Sequence, residues 1–105
     1  MQNQTFKIEV YKRKFLEHCM FNDNYKTKAI QLIRFLLSNM IYDHAKRIAV
    51  CIYNQEELHK ASGVSRVTIS KVIPMLVKEG LVNKESNAVY FNLSFKFGEE
   101  DESDI

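Results

Sequence analysis

Apolar side chains recur every three or four residues in three stretches of the chain, which predicts three amphipathic helices. The first helix covers about residues 10–19 and follows a lead-in of alternating apolar and polar residues that favours an extended conformation. The second covers residues 24–42, with an apolar stripe wide enough for burial on more than one side. The third covers residues 66–79 and has its apolar residues on one side.

Short runs of β-branched and aromatic residues predict three strands. Residues 48–53 form one such run, after a polar connector at residues 43–47. Residues 81–85 and 88–93 form two more, separated by a Ser-Asn pair that is favoured in turns. We expect these last two strands to form a β-hairpin.

Capping residues place a fourth, short helix before residue 63 and a tight turn after it. Asn54, with Glu57 three residues later, has the capping-box spacing for a helix start. Gly63 can adopt the left-handed conformation that ends a helix. Ser65 can cap the next helix, and residues 22–24 offer caps for the helix at 24–42.

The order helix, strand, helix, tight turn, helix, hairpin indicates a mainly α protein with a small β-hairpin, an α+β fold. Two capped helices joined by a short turn form a helix-turn-helix. We expect an N-terminal segment at residues 1–23, a main domain at 24–97 and an acidic, disordered tail at 98–105.

Residues 55–71 resemble the winged helix-turn-helix of bacterial DNA-binding proteins. The most specific part is the run at residues 63–71, with the sequence GVSRVTISK. Residues 79–82, Glu-Gly-Leu-Val, resemble the passage from the recognition helix into the wing. The resemblance covers roughly residues 25–93.

This resemblance implies sequence-specific binding of double-stranded DNA by a transcriptional regulator. The helix at residues 66–79 would enter the major groove, and the wing at 81–93 would lie on the backbone. Two residues depart from the pattern. His59 stands where a small residue is usual, so either the two helices cross wider or the imidazole lies at the edge of their contact. Pro74 lies inside the recognition helix and predicts a kink near residues 70–74.

The candidate DNA-binding residues lie on the recognition helix, the wing and two flanking elements. Arg66 can reach a guanine edge or a phosphate, and Val67 can contact a thymine methyl group. The alternative is that these residues form a solvated surface, which for the wing is equally plausible. The complete set is Ser65, Arg66, Val67, Thr68, Ser70, Lys71, Lys84, Asn87, Arg47 and Lys60.

The net charge of +2 hides an asymmetry along the chain, because five of the 13 acidic residues lie between Glu99 and Asp104. The preceding residues carry 15 basic and eight acidic side chains. A basic body with an acidic tail is common among nucleic-acid-binding proteins. The tail could bind a basic protein partner or compete with DNA for the basic surface.

The sequence gives no sign of enzymatic or metal chemistry. Cys19 and Cys51 have no metal-ligand spacing, and we expect both to be reduced and packed. The three histidines form no ligand cluster with them. We expect no cofactor, metal or catalytic activity, no membrane span, and a cytoplasmic location, because the polar start lacks a signal-peptide pattern.

Two segments leave alternatives open. Residues 6–21 have more apolar side chains than a small winged helix needs, so they either support a homodimer through residues 6–42 or cover the core of their own chain. The aromatic residues at 90–97 either belong to the core or stack on single-stranded bases. Residues 87–98 also faintly resemble the C-terminal part of small plasmid replication initiators of Gram-positive bacteria.

The function is therefore open at its finer level. A transcriptional regulator and a plasmid replication or copy-control protein would both bind duplex DNA through the same fold. A protein–protein interaction module without DNA binding is the alternative from a different functional class.

Overall fold

The computed structural model describes residues 6–98. In that part the helices are α1 (Ile8–Met20), α2 (Thr27–Ser38), α3 (Gln55–Ser62) and α4 (Arg66–Glu79). The strands are β1 (Ile41–Asp43), β2 (Ile48–Ile52), β3 (Val82–Glu85) and β4 (Ala88–Phe91). They form one antiparallel sheet in the order β1-β2-β4-β3. The predicted α+β winged helix-turn-helix is confirmed, whereas residues 99–105 of the predicted tail lie outside the described residues.

One hydrophobic core joins the helices to the inner side of the sheet. Its centre contains side chains from every helix and from β4, each at most 1 % exposed, such as Phe15, Leu36, Leu58, Ile69 and Val89. Every element therefore contributes to the burial that stabilises the domain.

Both cysteines are free and buried, as expected from the sequence. Burial raises the pKa of the Cys19 thiol to about 12, with a smaller contribution from the negative charge of Glu79. Burial also raises the pKa of Cys51. Both thiols are therefore protonated and unreactive at neutral pH.

Helix α1 packs on α2 and on the segment that follows β4, so its inner side covers the core of its own chain. The homodimer through residues 6–42 stays a prediction. The Tyr11 hydroxyl donates to the carbonyl of Asn92 at 3.0 Å. The Phe15 ring lies edge-on to Phe91 at 5.7 Å between centroids, and His18 lies edge-on to Phe95 at 5.4 Å. These contacts support the core interpretation for Phe91, Phe95 and Phe97, whose rings pack against α1, whereas Tyr90 lies on the other side of β4.

The prediction for residues 24–42 was wrong at both ends. Helix α2 begins at Thr27 after Lys26, which makes no side-chain cap, while the Asn22 carboxamide accepts from the Asn24 amide at 2.9 Å in the preceding turn. The helix ends at Ser38, and residues 41–43 form β1 instead. Ile41 has helical spacing from Leu37, but pairing of β1 with the edge of β2 satisfies backbone groups that would otherwise be open.

The predicted connector at residues 43–47 is correspondingly shorter. Asp43 belongs to β1, and only the following four residues form the turn into β2. Arg47 closes that turn with a φ of +57°.

The helix-turn-helix has the predicted caps. The Asn54 side chain accepts from the Glu57 amide at 3.0 Å, and the Ser65 hydroxyl accepts from the Thr68 amide at 3.2 Å. Gly63 ends α3 with a φ of +74°. These local bonds fix where each helix begins and ends, and hence the length of the turn between them.

Side chains on both sides of the turn hold it in place. The Gln31 amide nitrogen of α2 donates to the carbonyl of Ser62 at 2.7 Å. The Ser62 hydroxyl accepts from the Val64 amide at 3.1 Å. His59 donates from Nδ1 to the carbonyl of Val64 at 2.9 Å, so its half-buried imidazole lies against the turn. The imidazole therefore lies at the edge of the contact between α3 and α4.

Helix α4 is continuous from Arg66 to Glu79, with Pro74 on its exposed side. The kink expected near residues 70–74 stays a prediction.

A polar cluster ties the end of α4 to the N-terminal part of the chain. Tyr25 donates its hydroxyl to one oxygen of the Glu79 carboxylate at 2.6 Å, and His18 Nε2 lies 2.5 Å from the other. Burial is the largest cause that raises the pKa of the Tyr25 hydroxyl, and the hydrogen bond to Glu79 is the next largest. Because His18 belongs to α1, this cluster restrains the end of α4 that is opposite the turn.

Gly63 and Gly80 both have positive φ angles and offer a matched test of the turn. We expect Gly80→Ala to cost about 1–2 kcal/mol from backbone strain alone, since nothing lies within 4 Å of the added Cβ. Gly63→Ala should cost more, because its Cβ would lie 3.1 Å from the Gln31 amide nitrogen. Urea unfolding followed by circular dichroism measures both losses.

The control for this comparison is Gln31→Ala. In that background the two glycine substitutions should cost the same, because the crowding atom is gone. If the two glycine substitutions cost the same stability with Gln31 present, the close approach of Gln31 to Gly63 does not constrain the turn.

Candidate nucleic-acid interface

The first two turns of α4 project polar and cationic side chains away from the core. The Arg66 side chain is 55 % exposed and Val67 is 68 % exposed. Ser70 and Lys71 are exposed on the following turn, whereas Ile69, directly before them, is fully buried. The helical period therefore separates a fixed inner side from an accessible outer side.

Two predicted site residues are engaged in capping. The Ser65 hydroxyl accepts from the Thr68 amide and also donates to the Thr68 hydroxyl at 3.1 Å. Ser65 is exposed and Thr68 is half-buried. Their hydroxyls therefore orient the start of α4, next to the residues that project from it.

Glu56 of α3 neutralises part of this surface, and the sequence analysis did not identify it as a site residue. Its carboxylate binds the Arg66 guanidinium and lies 3.8 Å from the Lys60 ammonium. The hydrogen bond from Arg66 is the main cause that lowers the pKa of Glu56. All three groups are exposed, so the pairing orients Arg66 without contributing much stability.

An open cleft of about 930 Å³ separates the start of α2 from the outer side of α4. Four exposed lysines line it, and we call it the lysine cleft: Lys26, Lys28, Lys71 and Lys78. The Lys28 ammonium donates to the Gln31 side chain at 3.3 Å. Thr68 and Met75 lie along the same wall. The cleft concentrates positive charge beside the exposed start of α4.

Only Lys71 of these lysines was predicted as a site residue. The seven-residue spacing of Lys71 and Lys78 places both on one side of α4, which is a signal that the sequence does contain. The nearness of Lys26 and Lys28 depends on how α2 packs against α4, which periodicity along one helix does not reveal.

The wing places Lys84 and Asn87 differently. The Lys84 ammonium donates to the Ser86 carbonyl at 2.7 Å and lies 5.9 Å above the Tyr53 ring. Lys84 is therefore folded back over its own hairpin. Asn87 is exposed at the tip, where its carbonyl accepts from the Tyr53 amide at 2.8 Å.

The two flanking candidates lie apart from the wing. Arg47 lies in the β1–β2 turn with its guanidinium 5.2 Å from the Phe6 ring. Arg47 directly precedes β2, whereas Ile52, at the opposite end of this strand, pairs with Ala88 beside the wing tip. The structure therefore does not bring Arg47 together with the wing, while Lys60 lies on α3 beside Glu56.

Within residues 6–98 no group of three histidine, cysteine, aspartate or glutamate side chains could hold a metal ion. None of the helices in the same part of the chain has the length and apolar character needed to cross a membrane.

No protein-family model and no curated protein matches the chain. Two solved structures are similar to it. One is a CRP-family transcriptional regulator from Thermus thermophilus, with 23 % identity, a TM-score of 0.48, and coverage of 78 % of this chain and 42 % of that one. The other is CprK complexed with OCPA, with 22 % identity, a TM-score of 0.47, and coverage of 82 % and 40 %. The chain thus spans about two fifths of the length of either protein.

Proposed function

We propose that this chain is a sequence-specific, double-stranded DNA-binding protein of the cytoplasm that inserts the start of α4 into the major groove. The wing, residues 81–93, would lie on the backbone. The proposal rests on the start of α4, which is capped and held by a packed turn. This start exposes cationic side chains beside the lysine cleft. The major groove is wide enough to admit such a helix.

Arg66 and Glu56 form the best candidate for direct base recognition. An arginine can donate two hydrogen bonds to O6 and N7 of guanine, and a glutamate can accept from N4 of cytosine. The ion pair holds both side chains at the exposed start of α4. Val67, with most of its surface exposed, is suited to a thymine methyl group.

The lysines supply the phosphate contacts in this proposal. Lys71 would contact a phosphate at the edge of the groove, next to the exposed Ser70, and the other lysines of the lysine cleft would neutralise the adjacent backbone. Lys84 and Asn87 would contact phosphates from the wing, Lys84 after leaving the Ser86 carbonyl. Arg47 and Lys60 remain weaker candidates.

We further propose that the protein acts as a homodimer through residues 6–42, since a two-fold dimer doubles the contacts and reads a palindrome. Most apolar side chains of α1 are used in the core, but Met20 and Phe21 are 49 % and 86 % exposed. Regulation of transcription and control of plasmid replication both fit this mode of binding. Footprinting on the source DNA separates them, by protection of a promoter or of an origin.

A protein–protein interaction module is the second candidate, and one observation favours it. Ile41, Ile48 and Ile52 are 60 %, 41 % and 66 % exposed. The register of β1 and β2 places all three on the outer side of the sheet. An apolar surface of this kind is typical of protein contacts, and it requires no affinity for DNA.

We expect the affinity for duplex DNA to fall steeply between about 50 and about 200 mM salt, because bound phosphates release counterions. Lys71→Gln and Lys78→Gln should each reduce the slope of log K against log salt by about 0.9 if the lysine contacts one phosphate. Lys46→Gln, in the β1–β2 turn, is the matched control and should leave the slope unchanged. Fluorescence anisotropy with a labelled duplex measures these constants, and a flat salt response would contradict DNA binding.

Arg66→Ala should lose about 1–3 kcal/mol of discrimination between a duplex selected from a random pool and a scrambled one, because a base contact disappears. Glu56→Gln removes the carboxylate that pairs with Arg66 and that would accept from cytosine, so it should also reduce the discrimination between the two duplexes. Competition titrations of the two duplexes provide the measurement. If Arg66→Ala weakens both duplexes equally, Arg66 contacts a phosphate rather than a base.

A further inference from the structure

We propose that the acidic segment at residues 99–104 docks in the lysine cleft and occupies it in competition with the DNA backbone. The docking depends only on the fold and the charges, whereas the competition rests on the proposed function. The segment has the sequence EEDESD, with five carboxylates in six residues.

The charges of the acidic segment and of the lysine cleft are complementary, which supports docking. Four lysines line the lysine cleft, two at the start of α2 and two on α4. Among the described residues that line it, Glu79 has the one carboxylate, and its oxygens are bonded to Tyr25 and His18. The cleft therefore retains a strong positive potential, which favours a ligand with several negative charges.

The place where the described chain ends also supports docking in the lysine cleft. The Phe97 ring packs against His18 at 5.8 Å between centroids. His18 in turn bonds Glu79, at the edge of the lysine cleft. Asn24 lines both the lysine cleft and the neighbouring cleft beside Phe97. The part of the chain that the structure describes, which ends at Gly98, therefore stops close to the Glu79 end of the lysine cleft.

The length of the segment is sufficient. Six residues in an extended conformation span about 20 Å, at about 3.3 Å each. Along α4, Lys71 lies eight residues before Glu79, a distance of about 12 Å at about 1.5 Å per residue. A segment that starts near the Glu79 end can therefore pass Lys78 and reach Lys71.

The nearer cleft is a poorer site for the same segment. Besides Phe97, it is lined by Glu17 and Asp23, with Lys14 as its one cationic side chain among the described lining residues. Repulsion by two carboxylates disfavours an acidic ligand there. The charges therefore favour the lysine cleft over the site that is closest in the chain.

Docking in this cleft would make the segment a substitute for DNA phosphates. Lys71, which we assign to the phosphate backbone, would be occupied in the free protein. The apparent dissociation constant for DNA rises as the occupied fraction rises, since only the open state binds. Weak, non-specific binding would then be suppressed.

Paramagnetic relaxation tests the docking without DNA. A spin label on Ser103→Cys should broaden the amide signals of α4 from Thr68 to Lys78 and of the start of α2, and about 0.5 M salt should remove the effect. The native cysteines are 0 % and 1 % exposed and do not compete for the label. Broadening centred elsewhere, or none at all, would overturn the proposal.

Paired charge variants test whether the segment docks specifically in the lysine cleft. Lys26→Gln with Lys28→Gln should reduce the broadening, because two of the four cationic partners are lost. Lys46→Gln with Lys84→Gln removes the same charge from two hairpins and should leave it unchanged. An equal reduction by both pairs would mean that only net charge attracts the segment, which contradicts a docking site.

DNA binding tests the competition separately. Replacing the five acidic residues by their amides should tighten non-specific duplex binding about fivefold at low salt, if the segment is docked about four fifths of the time. This gain should shrink in the Lys26→Gln, Lys28→Gln background, and an undiminished gain would refute competition at the cleft. If no variant binds DNA while the relaxation result holds, the proposed function fails and the docking stands.

Discussion

The position of the exposed start of α4 depends on a short turn whose backbone is held from several sides. Gly63 takes a left-handed conformation, Ser65 caps the helix that follows, and Gln31 bonds the carbonyl that precedes the glycine. Because the turn is bonded on both sides of Gly63 and anchored by the buried Ser62 and Val64, these bonds leave little freedom for the angle between α3 and α4. The direction in which Arg66 and Val67 project is a consequence of that constraint.

The same helix is fixed at its other end by a different kind of interaction. Glu79 accepts from Tyr25 and bonds His18, so α1 and the loop before α2 hold the C-terminal end of α4 in position. A helix held at both ends presents its side chains on a rigid scaffold, which is what recognition of a regular double helix requires. The charged surface follows from this, since packing of α2 against α4 creates the lysine cleft.

The elements that the sequence predicted well are those defined by local chemistry. Helix α4 and the caps at Asn54 and Ser65 depend on neighbours within four residues, and the hairpin after Gly80 pairs residues at most nine positions apart, so a linear pattern contains them. The error at β1 has the opposite origin. Ile41 fits the helical period of α2 equally well, and only the open edge of β2 decides that it forms a strand.

For the candidate site, the sequence by itself determined which residues occupy the start of α4 and that this start is capped, because helix periodicity and caps are encoded within one or two turns. Only the tertiary structure decided that Glu56 pairs with Arg66, that Lys26 and Lys28 join Lys71, and that Arg47 lies far from the wing. These relations join residues from different elements, and their distances are determined by how the core packs rather than by spacing along the chain.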